Sequence, residues 1–179
     1  MVVIAISGKP GAGSSTIAKA LADRLGIDYF SPGERFFKPS KEKDDTSEAL
    51  GIWKSDKGKN KDFHQKIDDY QRGLAKKGNV VICGKLSIWV LKDLADLKVW
   101  IDCDFDERVR RTSKRDRISL EETRKKLKER EEMEEKEWKR MYVFDRDSQR
   151  GMADIVVDTS KLTVEEIMDK IGKSLERNE

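Results

Sequence analysis

Gly8-Lys9-Pro10-Gly11-Ala12-Gly13-Ser14-Ser15-Thr16 is the stretch that decides the fold. Upstream lies the apolar run Val2-Val3-Ile4-Ala5-Ile6, which reads as a strand; downstream, residues 17–25 carry apolar side chains at helical spacing. Strand, glycine loop and helix follow one another directly. Glycine accepts backbone angles that side chains forbid, so successive N–H groups can turn inward around an anion while the helix N-terminus adds its partial positive charge. The loop is shaped for phosphate.

Set against the P-loop pattern G-x-x-x-x-G-K-[ST], Gly8 and Gly13 fall in register, but Ser14 stands where lysine belongs. Ser15 keeps the hydroxyl position that ligates Mg²⁺, and Lys9 offers a substitute cation from within the loop. Glycine-rich strand-to-helix turns also occur in dinucleotide folds and in plain connections. Here strand context, glycine spacing, hydroxyl and helix agree on nucleotide binding.

The 179 residues suffice for a real core, and residues 1–179 are read as a single domain. Charged residues make up 41%, yet 38 Lys plus Arg nearly cancel 35 Asp plus Glu, so net charge gives no argument for a nucleic-acid partner. That density of Lys and Glu suits ion-pair networks at high temperature and points to a thermophilic source. Cys83 and Cys103 lack metal or redox spacing and His64 is the only histidine, which excludes a His/Cys zinc site and leaves both thiols as reduced packing residues. No apolar run approaches a membrane span and no basic-then-apolar leader is present, so a cytoplasmic chain is expected, as a monomer.

Along the chain, Gly26 ends the first helix, residues 27–30 read as a second strand and Ser31-Pro32-Gly33-Glu34 as a turn; a basic, aromatic helix is expected from near Glu34, limited by Pro39. Residues 46–53 read as a short helical piece and residues 54–60 as an exposed loop, within a stretch, 38–61, expected to be mobile. Phe63, Ile67, Tyr70, Leu74 and Ala75 space a helix over 62–77. Val80-Val81-Ile82-Cys83 suits a central parallel strand, with Gly84-Lys85 at its carboxyl end and a short apolar helix over 86–91; residues 97–102 and 155–159 supply two more strands. Alternating strands and helices predict a three-layer α/β fold with a parallel sheet of about five strands and ligands beyond their carboxyl ends. Thr163-Val164-Glu165-Glu166 has capping-box spacing for the last helix.

Residues 105–142 are the most charged part of the chain, with Arg108, Arg110, Arg111, Arg115, Arg117, Arg124, Arg130 and Arg140 among many glutamates and a capping-box-like start at Ser119. Two readings stand level: a pair of solvated helices laced with i,i+4 ion pairs, and an arginine-bearing lid that closes over phosphates.

With these segments in place, the chain resembles the nucleoside monophosphate kinases, and most closely the archaeal type of cytidylate kinase, over nearly its whole length. Besides residues 8–16, the resemblance rests on Ser31-Pro32-Gly33-Glu34, Ile67-Asp68-Asp69-Tyr70-Gln71, Gly84-Lys85-Leu86, Arg115-Asp116-Arg117-Ile118-Ser119, Arg130-Glu131 and Asp154-Ile155-Val156-Val157-Asp158-Thr159-Ser160, in that order. Archaeal-type members also place a hydroxyl residue where the loop lysine is expected. The resemblance implies a P-loop kinase fold and transfer of the γ-phosphoryl group of ATP to CMP or dCMP, with Mg²⁺ bridging the donor phosphates. In that picture Gly8, Lys9, Pro10, Gly11, Ala12, Gly13, Ser14, Ser15 and Thr16 hold the donor, Ser15 ligating the metal and Lys9 lending its charge to the reaction. Lys38 and Lys85 stand where acceptor-phosphate arginines are expected, Asp68 reads the acceptor base, and Arg115 and Arg130 clamp the transferred group.

Three departures accompany it. Lys38 and Lys85 put point charges in place of planar forks. Cys83 replaces an acidic residue that helps hold hydrated Mg²⁺, with Asp102 on the next strand as a substitute, and Asp69-Tyr70 replaces a basic pair on the base-reading face. These keep open a second reading, a nucleotide-binding switch or assembly ATPase that meets RNA or a ribonucleoprotein through residues 105–142. Lys9 also matches the early lysine of dimeric deviant P-loop ATPases, which the rest of the chain does not resemble. Trp53, Trp89, Trp100 and Trp138 are expected to pack rather than stack on bases. His64 has no catalytic task, because an ionised acceptor phosphate needs no histidine base.

Overall fold

The computed structural model describes residues 1–37 and 44–176. Five strands, β1 (Val3–Gly8), β2 (Asp28–Phe30), β3 (Val80–Cys83), β4 (Leu97–Asp102) and β5 (Ile155–Asp158), form one parallel sheet in the order β2-β3-β1-β4-β5. The helices in chain order are α1 (Ser14–Leu25), α2 (Pro32–Phe36), α3 (Asp45–Lys54), α4 (Asp56–Lys59), α5 (Lys61–Lys77), α6 (Ser87–Val90), α7 (Phe105–Asp116), α8 (Leu120–Tyr142), α9 (Gln149–Met152) and α10 (Val164–Leu175).

β1 takes the middle because all of it is buried, with Ile4 facing Val81 on one side and Leu97 on the other. The chain leaves β1 toward β2, returns through β3 and crosses to β4, so the strand order reverses at β1. Open α/β sheets bind ligands in the crevice beyond such a point, and the glycine loop starts there.

Helices cover both faces, which makes three layers. On one, Ile17 and Leu21 of α1 and Ile167 and Ile171 of α10 close over Ile4, Ile6 and Val99. Thr163 opens α10 with a complete capping box: its Oγ1 accepts from Glu166 N–H, while Glu166 accepts from Thr163 N–H. On the other, Ala75, Ile88, Trp138 and Met141 pack against Val3, Ala5, Ile82 and Trp100.

Two local expectations need correction. Residues 54–60 are largely exposed, as expected, but are not a loop: Ser55 caps α4, its Oγ accepting from Gly58 N–H, and Gly58 is buried against the Ile52–Trp53 backbone with no room for a Cβ. The helix expected from Glu34 starts earlier, at Pro32, because Ser31 supplies the N-cap and proline suits the first turn. Trp53, Trp100 and Trp138 are buried, and Trp89 stacks on Phe144 with ring centroids 5.1 Å apart. His64 is buried against Trp53, its Nε2 2.7 Å from the Gly58 carbonyl. Among the described residues no helix is both long and apolar enough to cross a membrane.

Candidate active site

The glycine loop takes its shape from α7 as much as from its own sequence. Gly11 and Gly13 have φ of 79° and 91°, in the left-handed region. A Cβ on Gly11 would lie 2.7 Å from Thr112 Oγ1 and 3.1 Å from the Arg108 carbonyl, so α7 can approach only a glycine. Ser14, Ser15 and Thr16 form the first turn of α1, whose start has no side-chain cap; its leading N–H groups are left for an anion.

Cations grip the loop from two sides. Lys85, just past β3, donates from Nζ to the Gly8 carbonyl at 2.9 Å. Arg108 on α7, buried, donates from Nη1 to the Pro10 carbonyl at 3.1 Å and pairs with Glu131 of α8. Arg111, one turn on, donates to the Thr159 carbonyl at 2.6 Å, and its Nη1 lies 3.6 Å from where a Gly13 Cβ would stand. Thr159 in turn donates from Oγ1 to the Ala12 carbonyl at 2.9 Å.

Within electrostatic reach of Lys85 a carboxylate gathers two arginines. Glu134 on α8 is 1% exposed; its Oε1 accepts from Arg130 Nε at 2.8 Å and from Trp53 Nε1 at 3.2 Å. Its Oε2 faces Arg146 Nη1 at 3.6 Å, and neither atom has a hydrogen bond although both are buried. Burial alone would push the Glu134 carboxyl up, but Arg130, Lys85 and Arg146 together outweigh it and hold it below its ordinary value. Burial pushes the Lys85 ammonium down to about 7, with Glu134 opposing and Arg130 and Arg146 adding to the depression.

The sequence-predicted residues divide accordingly. Arg130 joins the cluster. Lys9 is held by Asp147 at 2.8 Å, a carboxylate that also accepts from Arg146 Nε at 3.0 Å. Arg115 ties α7 to α3 instead: it bonds Asp116 at 2.6 Å and Thr46 Oγ1 at 3.1 Å and lies 3.5 Å from Asp45. Lys38 lies outside the described residues. Asp102, the substitute for the acid missing at Cys83, accepts from Trp100 Nε1 and Arg150 Nε at 2.6 and 2.9 Å, one donor on each oxygen. The Cys83 thiol is buried within hydrogen-bonding reach of the Ser14 and Ser15 hydroxyls, and burial pushes it up.

Asp68 faces a cavity of about 380 Å³ lined by Gln65, Arg72, Trp89 and Tyr142 among others. Tyr142 Oη donates to Asp68 at 2.5 Å. Burial pushes the Asp68 carboxyl up to about 6 against that hydrogen bond, and Asp69 adds to the rise. Tyr70 turns to the opposite side of α5, against Phe30 and Phe36. Other arginines of the charged helices bond locally, Arg110 to Glu107, Arg124 to Asp106 and Arg140 to Glu137.

Arg146 and Glu134 are the members that sequence reasoning missed, and Arg108 and Arg111 were named only among the arginines of a candidate lid, with no individual role. The i,i+3 spacing of Arg108 and Arg111 directly after β4 was a usable signal; for Arg146 there was none.

A phosphate loop at the switch point of a parallel sheet, with cations bonded to its carbonyls, marks a P-loop kinase fold, and the relatives of the chain make it one of the nucleoside monophosphate type. The chain belongs to the cytidylate kinase-like family, whose model matches residues 3–161. It is 34% identical over 179 residues to the cytidylate kinase of Ignicoccus hospitalis, spanning 98% of this chain and 99% of that protein. With the cytidylate kinase of Methanocaldococcus jannaschii it shares 32% identity over 178 residues and 98% of each chain. Among solved structures, a shikimate kinase from Acinetobacter baumannii in complex with shikimate matches with a TM-score of 0.64 at 15% identity, covering 100% of this chain and 95% of that one; the likeness is one of fold.

Proposed function

We propose that the chain transfers the γ-phosphoryl group of ATP, with Mg²⁺, to a nucleoside monophosphate, CMP or dCMP. One observation carries the reading. The Gly8 and Pro10 carbonyls each hold a cation, Lys85 and Arg108, and Arg130 and Arg146 converge on Glu134 beside Lys85. Phosphoryl transfer requires in-line positioning, dispersed positive charge and exclusion of water, with little covalent help from the protein.

Gly11, Gly13, Ser14, Ser15 and Thr16 hold the donor phosphates through N–H groups and hydroxyls. Arg130 and Arg146 neutralise the group in transfer, for which Glu134 gives way. Lys38, by resemblance, meets the acceptor phosphate, and Asp68 reads the acceptor base from its cavity. Residues 105–142 act as a lid within a single domain, and the bonds of Arg115 and Asp116 to Thr46 couple that lid to the acceptor region, 38–61. Mg²⁺ retains most of its coordination as water and phosphate oxygen, so the one hydroxyl of Ser15 at the head of α1 fits it without a carboxylate at position 83. Held there, Mg²⁺ would supply dispersal of the negative charge on the donor phosphates. The protein works as a cytoplasmic monomer.

A coupled assay of ADP production from ATP and Mg²⁺ tests this across CMP, dCMP, UMP, AMP and GMP with a no-acceptor control. Acceptor-dependent turnover greatest with CMP or dCMP is expected. Turnover independent of acceptor, or ATP binding with none, would replace this reading with the switch or assembly ATPase.

A further inference from the structure

The loop has Ser14 where its pattern asks for lysine, so the charge that faces the donor's terminal phosphates has to come from elsewhere. Lys9 is held by Asp147. The resemblance sets Lys85 against the acceptor phosphate, but its ammonium rests on the first carbonyl of the phosphate loop.

Its placement is built rather than incidental. Gly84 N–H donates to the Ile6 carbonyl at 3.1 Å and Ser7 Oγ donates to the Gly84 carbonyl at 2.8 Å, which locks the end of β3 to β1. Gln149, fully buried, donates from Nε2 to the Lys85 carbonyl at 2.8 Å. The backbone of Lys85 is therefore fixed where β1 becomes the loop. Arg130, Arg146 and Glu134 are all close enough to its ammonium to act on it electrostatically. A lysine bonded to one carbonyl keeps two N–H donors for other partners.

We propose, resting on the donor-nucleotide reading above, that Lys85 is the cation of the phosphate loop and contacts the donor's β- and γ-phosphates in place of the lysine missing at position 14. The positive charge has moved from the helix that follows the loop to the strand end beside it. Arginine at 85 would carry the same charge on a bulkier fork, whereas lysine matches the point charge the loop itself lacks.

The test is calorimetric binding of ADP without any acceptor, to the parent, Lys85→Met, Lys85→Arg, Ser14→Lys and the double variant Lys85→Met with Ser14→Lys, each checked for parental circular dichroism. Loss of one charge-assisted contact should weaken ADP about tenfold in Lys85→Met and by only about threefold in Lys85→Arg. Ser14→Lys should return most of the lost affinity in the Lys85→Met background and add little to the parent. Parental ADP affinity in Lys85→Met, with a raised acceptor KM, would overturn the proposal and return Lys85 to the acceptor phosphate; so would failure of Ser14→Lys to rescue. A parent that binds no ADP at all would instead bring down the donor-nucleotide reading on which the proposal rests.

Discussion

Replacing Asp68 with asparagine should raise the stability of the protein near pH 8 and leave it almost unchanged near pH 4. Asp68 is 8% exposed, and burial lifts its carboxyl from an ordinary 3.8 to about 6. A carboxyl with a higher pKa in the folded than in the unfolded chain binds its proton more tightly when folded. Stability is therefore greatest below about pH 4, falls as pH rises through the interval from 4 to 6, and stays lower above it. A displacement of that size corresponds to about 3 kcal/mol. The asparagine side chain keeps the shape and an oxygen that can still accept from Tyr142 Oη, so little else changes.

Urea denaturation at the two pH values reads the difference. For a chain of this size, with a slope of roughly 2 kcal/mol/M, the full effect moves the midpoint by roughly 1.5 M near pH 8 and by almost nothing near pH 4. Tyr142→Phe, which removes the donor that partly restrains the rise, should act in the opposite direction and more strongly at the higher pH. The same Asp68→Asn variant should raise the acceptor KM while ADP affinity stays parental. Equal midpoint shifts at both pH values, or a variant less stable than the parent near pH 8, would refute the reasoning, because a carboxylate free of penalty needs a wetter cavity than this one.

Four further outcomes follow from the same geometry. Gly58→Ala forces a methyl group against the Ile52–Trp53 backbone and should cost about 1–3 kcal/mol in urea unfolding, with unchanged stability counting against the buried α4 turn. Thr163→Ala removes one half of the capping box and should cost about 1 kcal/mol, visible as a lowered thermal midpoint. Because Lys85 titrates near 7, it is largely neutral near pH 8 until phosphates arrive, so ADP binding should take up close to one proton there; calorimetry in buffers of different ionisation heat measures this, and Lys85→Met should take up none. Glu134→Gln leaves Arg130, Arg146 and Lys85 without their common anion and should lower stability by roughly 3 kcal/mol, with inorganic phosphate restoring more of it than in the parent.

What was legible in the sequence was what local chemistry dictates. Five strands, the glycine loop and the caps at Ser119 and Thr163 each rest on neighbours a few residues away, and α7 and α8 kept the helical rhythm of Val109, Leu127 and Trp138. Residues 54–60 misled because their composition is that of a loop, whereas Ser55 bonding to Gly58 N–H makes a cap that composition does not register. The departure from the expected clamp has another cause. Arg115 and Arg130 both sit on charged helices, but Arg115 lies at the end of α7 next to Thr46, while Arg130 lies on the face of α8 that Trp53 and Arg146 enclose. Helical spacing fixes which residues share a face; it does not say what the face will meet.

Glu134 is the clearest instance, and it bears on how the site works. Arg130–Glu134 and Glu135–Lys139 are both i,i+4 pairs on one helix, yet the Glu134 side chain is 1% exposed and that of Glu135 25%. An exposed pair of this kind contributes little to stability. A buried carboxylate that meets two arginines and an indole N–H is a different object, since it is the internal anion that lets the arginines be stored beside Lys85 in the absence of ligand. A phosphoryl group carries more charge than a carboxylate and offers more acceptor oxygens, including one for the unpartnered Arg146 Nη1. Exchange of the one for the other then depends on a phosphate delivered along the loop to the free N–H donors of Lys85, which couples the charge on α8 to occupancy of the nucleotide site.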